Sequence, residues 1–178
     1  MSTPPAKPAF PLAMPALGGP VTVITQAQVA EAIALSRQSP RGRIIRPYHP
    51  AAGDPLHRML NVVQPHSYIQ PHRHFFPPKG ESIILLQGAI GCVIFSDAGA
   101  VEQLHVLGAG RPSFGIDIHA GVFHTFFALE ADTVLFEVKP GPYEKTSDKD
   151  FAPWAPKEGA NEAKGYLERL AQLVAGKA

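Results

Sequence analysis

The sequence is poor in cysteine: Cys92 is the only one in 178 residues. A lone thiol excludes an intrachain disulfide and any zinc or iron–sulfur site built from several cysteines. Its expected role is that of a small core residue, and a reducing compartment suits it. Long apolar runs are missing too; none approaches the ~20 residues that a membrane helix needs. Charge of one sign is equally scarce. Sixteen Lys and Arg stand against fifteen Asp and Glu, a formal net charge of +1. Such a balance offers neither a basic field for nucleic acid nor an acidic one for cations. The opening residues Met1 to Pro8 carry little charge and several prolines, which interrupt any apolar signal region. The expectation is a cytoplasmic protein with no nucleic-acid and no membrane partner.

Proline, by contrast, is abundant. There are 19 prolines and 16 glycines, with proline at roughly double its ordinary share. Both residues break helices and build turns, which argues against an all-helical chain. A hydrophobic content of 45% is that of a globular protein, and the length suits one domain with a sizeable core.

Four stretches follow from the pattern. Residues 1–20 form a Pro-rich extended arm. Residues 21–42 hold a short helix over about 26–37 and a linker: Thr25 and Gln28 have capping-box spacing, and Ser39-Pro40 ends the helix. Residues 43–140 read as short strands between turn signals: 43–46, 56–64, 67–70, 82–87, 89–96, 101–106, 111–116, 122–129 and 133–139. Many short strands without an intervening helical period point to an all-β sandwich or barrel. Residues 141–178 form an irregular strap, with Trp154 packing it onto the barrel, and an amphipathic C-terminal helix. Asn161 caps that helix, and Leu167, Leu170, Ala171 and Val174 make its stripe.

Among eight histidines the informative pair is Pro71-His72-Arg73-His74. Two residues apart on a strand, both imidazoles face the same side and can share one ion. Glu81 then opens the apolar run Ser82-Ile83-Ile84-Leu85-Leu86, where a carboxylate is costly unless paired or ligated. Gly121 and Val122-Phe123 deliver His124 into the apolar run Phe126-Phe127-Ala128-Leu129. The pattern of His72, His74, Glu81, Gly88, Gly121 and His124 resembles the cupin superfamily. It departs from it twice: six residues separate His74 from Glu81, a longer gap than usual, and His119 takes a proline's place. A Pro-rich loop bulging from the rim accounts for the longer gap.

Longer runs resemble a narrower group, the WbuC-like cupin-fold metalloproteins. They are Asp54 to Asn61, Ser67 to His74, Val122 to Thr125, Val134 to Tyr143 and Asp148 to Pro156. The resemblance implies a double-stranded β-helix, or jelly-roll barrel, with one divalent transition metal ion per chain. It implies His72, His74 and His124 as ligands, Glu81 as a fourth, and gene company in polysaccharide synthesis. Three imidazoles and a carboxylate suit Fe, Mn, Ni, Co or Zn alike. Strand parity adds Tyr68, Gln70 and Phe126 as pocket-lining residues, with Tyr68 the one acid–base candidate.

Three functions are compatible with these residues. The first is a metal-dependent enzyme, isomerase- or epimerase-like or oxygenase-like, on a small polar substrate such as a sugar or sugar nucleotide. The second is a non-catalytic metal-stabilised binder or sensor of a small-molecule ligand. The third, a metal-free epimerase, fits worse, because an acid–base pair needs no three converging imidazoles. Finally, Ile84, Leu86, Phe123 and Phe127 make the outer faces of two strands apolar. Such strands are buried on both sides, which predicts a homodimer.

Overall fold

A computed structural model describes residues 10–144, 146 and 148–177. Helix α1, Gln26–Gln38, begins at Thr25, whose hydroxyl accepts from the Gln28 backbone N–H while the Gln28 side chain accepts from the Thr25 N–H. The capping box read from the sequence is thus formed. Ten strands follow: β1 Arg43–Pro47, β2 Leu56–Val63, β3 His72–Arg73, β4 Glu81–Gln87, β5 Ala89–Phe95, β6 Val101–Gly108, β7 Gly115–Ile118, β8 Phe123–Ala128, β9 Thr133–Pro140 and β10 Asp150–Phe151. Helix α2, Glu162–Ala175, closes the described chain. None of the described helices is long and apolar enough to cross a membrane.

The strands form two five-stranded sheets, in the orders β1-β2-β9-β4-β7 and β10-β3-β8-β5-β6. Removing the outermost β1 and β10 leaves two four-stranded antiparallel sheets whose chain alternates between them in a jelly-roll, the expected fold class. Between the sheets lies an apolar core of Ile69, Ile83, Leu85, Ile90, Cys92, Ile94, Phe126 and Leu135. Strand β4 shows how alternation feeds that core: Glu81, Ile83 and Leu85 are buried, whereas Ser82, Ile84 and Leu86 are exposed.

The two outer faces are covered unequally. On the β5–β8 sheet, Phe123 and Phe127 pack with Leu167, Leu170 and Val174 of α2 and with Ala152 and Ala155 of the strap. Gly91 permits this close approach: a Cβ there would stand 2.8 Å from the Phe127 ring and 3.2 Å from Val174. Trp154 fastens the strap, its indole N–H donating to the Asp97 carbonyl at 3.1 Å and its ring 4.9 Å from that of Phe95. On the other sheet, α1 covers Ile44, Leu60, Val62 and Val134, but Ile84 and Leu86 stay 42% and 46% exposed.

Several sequence expectations are corrected. Residues 1–9 of the expected arm lie outside the described residues, but its later part is pinned: Met14 is buried and its N–H donates to Ile45 at 2.8 Å. The run 67–70 is not a strand. Its carbonyls are taken by other groups: Ile69 accepts from the Thr125 hydroxyl at 2.6 Å and Tyr68 from Arg43 at 2.9 Å. The ladder starts only after Pro71. The strand expected over 111–116 begins later, at Gly115. Asn161 makes no side-chain capping bond.

Candidate metal centre

Strand β3 presents His72 directly opposite His124 of β8 in the antiparallel register, and His74 follows one residue beyond the end of β3. The turn before β8 is tied back to this strand, since Gly121 N–H donates to the His74 carbonyl at 3.1 Å. That turn needs φ +83° at Gly121, a left-handed conformation that glycine adopts without strain. His72, His74 and His124 are each at most 2% exposed. Each offers one ring nitrogen, and these three atoms lie within 4.8 Å of one another.

The direction of the rings is fixed by their other nitrogens. His72 Nδ1 donates to the Gln70 carbonyl at 2.9 Å, and His124 Nδ1 to the Val122 carbonyl at 2.9 Å. His74 Nδ1 donates to the Asp148 carbonyl. A carbonyl oxygen only accepts, so each Nδ1 carries a proton, and in the neutral ring Nε2 carries the lone pair. His74 Nε2 and His124 Nε2 are buried without a hydrogen-bond partner, as is Glu81 Oε1. This is the tautomer that metal-bound histidines adopt, with the outer nitrogen held by a backbone acceptor.

Glu81 completes the group from β4. Its Oε1 stands 2.8 Å from His124 Nε2 and its Oε2 3.4 Å from His74 Nε2. Burial alone would raise its pKa, but His124, above all, and then His74, acting as positive, donating partners, hold it well below the usual carboxylate range. The carboxylate is therefore charged. Against neutral rings it would face nitrogen lone pairs, an arrangement that is repulsive without a shared cation. The long His74–Glu81 gap is absorbed outside the barrel: Phe75 and Phe76 are 43% and 73% exposed, and the chain returns at buried Lys79.

The other predicted lining residues fare differently. Phe126 sits in the inner core beside Ile94. Tyr68 does not line the interior; it packs in the outer cluster under α2, and its hydroxyl donates to the Pro156 carbonyl at 2.8 Å. Gln70 is buried with its amide turned to the strap, donating to the Ala152 carbonyl at 3.2 Å. Parity counting failed because the 67–70 segment is irregular: Ile69 and His72 both face inward, three residues apart. His119 is almost wholly exposed.

A charged shell next to the histidines escaped sequence reasoning. On β9, Glu137 accepts from the Asn61 amide at 2.7 Å, and Lys139 donates to Asp148 at 3.0 Å. Lys79 donates to the other Asp148 oxygen at 3.1 Å. All four charged groups are buried. Burial first, and Glu81 second, push the Glu137 carboxyl up. Burial would lower Lys139, yet Glu137 and Asp148 hold it above its ordinary range. The signal was available: Glu137 and Lys139 share one face of an otherwise apolar strand. A groove of about 870 Å³ runs beside β6 and β7, and its lining includes Ile94, Ile118 and Val122. Ile94 pairs with His124 and Ile118 with Glu81.

Comparison with known proteins gives one partial family match and several distant structural likenesses. Residues 24–107 match the family described as "Domain of unknown function (DUF6016)". No curated protein matches the chain. Solved structures similar to it include an oxalate decarboxylase variant from Bacillus subtilis with tyrosine for a tryptophan, at 18% identity and a TM-score of 0.44. It covers 55% of this chain and 24% of that one. Another variant of that enzyme, with alanine for a glutamate, aligns at 19% identity and a TM-score of 0.45, over 57% and 25% of the chains. The oxalate decarboxylase of Lactobacillus farciminis, solved as a formate complex, aligns at 16% identity and 0.43, over 56% and 28%. The chain thus spans about a quarter of the length of these structures, and at this level of likeness neither substrate nor reaction transfers to it.

Proposed function

We propose that the chain is a metal-dependent cupin that holds one divalent transition ion on His72, His74 and His124, with Glu81 as fourth ligand. One observation carries the reading: the three Nδ1 atoms are bound to carbonyls, which leaves lone pairs and a charged carboxylate converging on one buried point. A proton can serve one such pair; three imidazoles and a carboxylate call for a metal. When bound, the ion supplies Lewis-acid or redox chemistry to a ligand oxygen. The chain's own part is to fix the imidazole tautomers through Gln70, Val122 and Asp148, and to exclude water with Ile94 and Phe126.

The substrate expected from the WbuC-like resemblance is a small sugar or sugar nucleotide, in an isomerase- or oxygenase-like reaction. Elemental analysis of the purified protein tests the metal, and assays on sugar nucleotides with that metal restored test the reaction. One ion per chain is expected, lost in His72→Ala and reduced in Glu81→Gln. A full metal complement in the double variant His72→Ala/His74→Ala overturns the site.

One finding favours the binder reading instead. Tyr68, the acid–base residue expected at the metal, has its hydroxyl occupied by Pro156 on the outer face. Turnover with the restored metal separates the two readings. The proposed homodimer now rests on Ile84 and Leu86, because α2 and the strap cover Phe123 and Phe127. Light scattering decides it: a mass near the chain's 19.1 kDa sinks the dimer.

A further inference from the structure

Lys149 lies between Asp148, whose carbonyl holds His74, and Asp150 of β10. In the β10–β3 pair, Asp150 stands opposite Arg73 and Phe151 opposite His72. The ladder ends at Asp150 and Arg73; the same register carried one step past both strands would set Lys149 opposite His74. Opposed residues share a face. The outward pair confirms the alternation, since Arg73 Nε donates to Asp150 at 2.7 Å. Lys149 thus falls on the side of His72 and His74, half-buried at the rim.

Its exposure and its partners set it apart from the two buried lysines: Lys149 is half-buried, whereas Lys79 and Lys139 are buried. Lys79 and Lys139 each have a carboxylate of Asp148 within about 3 Å. Among the described residues Lys149 makes no ion pair and no hydrogen bond. Burial first, then Lys139, bring it down to about 8, and it acts on His72 more than any other charge does. Charge balance makes the same point. Glu81, Glu137 and Asp148 offset Lys79 and Lys139 in the interior and Lys149 at its rim. A divalent ion on neutral histidines would leave two positive charges that no described interior group neutralises. Uncompensated buried charge is costly, so a ligand that brings negative charge is favoured.

We infer that Lys149 is the anion-binding residue of this site: the small-molecule ligand is an oxyanion, carboxylate or phosphate, with one oxygen toward the metal and another on Lys149 Nζ. This rests on the proposed metal centre. A neutral polyol lacks the charge the interior calls for, whereas a phosphorylated sugar or a sugar acid has it.

The test uses full-length protein loaded with Co(II), whose visible absorption reports changes at the ion. Wild type, Lys149→Met and Lys149→Arg are first assayed for metal content and thermal stability. Each is then titrated with inorganic phosphate, malonate and glycerol. The expected result is one ion in all three proteins. Phosphate or malonate then binds the wild type, at least tenfold more weakly to Lys149→Met and within a few-fold for Lys149→Arg, with no response to glycerol. The stronger of the two anions identifies phosphate or carboxylate as the source. Loss of cobalt from the wild type overturns the metal centre itself. Full cobalt with equal anion affinity in wild type and Lys149→Met, or with no anion response, overturns the role of Lys149 alone.

Discussion

The barrel interior has two unlike ends, built from the same strands. One end holds Leu85, Ile90, Cys92 and Leu135, all buried among apolar neighbours. The other holds His72, His74, Glu81, His124, Glu137 and Lys139, buried just as deeply. Strands β4 and β9 pass through both: inward Glu81 shares β4 with Leu85, and inward Glu137 shares β9 with Leu135. The apolar end owes its stability to area removed from water and to close packing. The polar end pays desolvation for every group and recovers it only through partners. One end makes the fold, and the other is tolerated only because the first is already stable.

The largest expected effect lies at the polar end. His124→Ala should abolish stoichiometric metal binding and with it the stabilisation that bound metal confers, about 4 kcal/mol at a thousandfold excess over Kd. Melting temperatures with and without added metal check this; an equal metal-induced rise in variant and wild type would refute it. The apolar end answers differently. Leu135→Ala, at a fully buried side chain, should cost about 2–5 kcal/mol through the cavity it leaves. The folded fraction should keep its metal, so denaturant midpoint and metal content ought to separate. If both fall together, the two ends are one cooperative unit.

Acid sharpens the comparison further. Burial above all, followed by Lys149 and His124, holds His72 well below its ordinary value of 6.5. The unfolded chain takes up a proton there near pH 6.5 while the folded protein does not. Metal-free protein should therefore be fully stabilised above that pH and lose stability as pH falls through and below it. Denaturant titrations from pH 8 to 5 measure the slope, and His72→Gln should flatten it. A wild-type slope equal to that of His72→Gln counts against the argument. At the apolar end, burial and then Glu81 push the Cys92 thiol up to about 12. It should resist thiol reagents at pH 8 until the protein unfolds; rapid labelling of the native protein would contradict its burial. The smallest effect belongs outside the barrel. Ile84→Ser, at a side chain 42% exposed, should change monomer stability by no more than about 0.5 kcal/mol. A larger, concentration-dependent loss would reveal a second copy on that face.

Residue chemistry and local spacing determine much of this arrangement. Local rules were sufficient for α1, where Thr25 and Gln28 satisfy each other's backbone. They were also sufficient for β4, where alternation sorts Glu81, Ile83 and Leu85 inward. The His72–His74 spacing shows a shared face for the same reason. Tertiary structure alone decided where those faces meet. The register that sets His72 against His124 joins residues far apart in the chain. The carbonyls that orient the three rings come partly from Asp148, in the distant strap. Tyr68 went to the outer face because side-chain bonds to the Tyr68 and Ile69 carbonyls replaced a ladder and broke the parity on which its placement depended. Glu137, Lys139 and Lys149 carry no motif, and only closure of the barrel brings their charges beside the histidines. A sequence states which side chains have a given chemistry and which local period they follow. Long-range pairing decides which of them share a volume without water, and that volume sets what the charges cost.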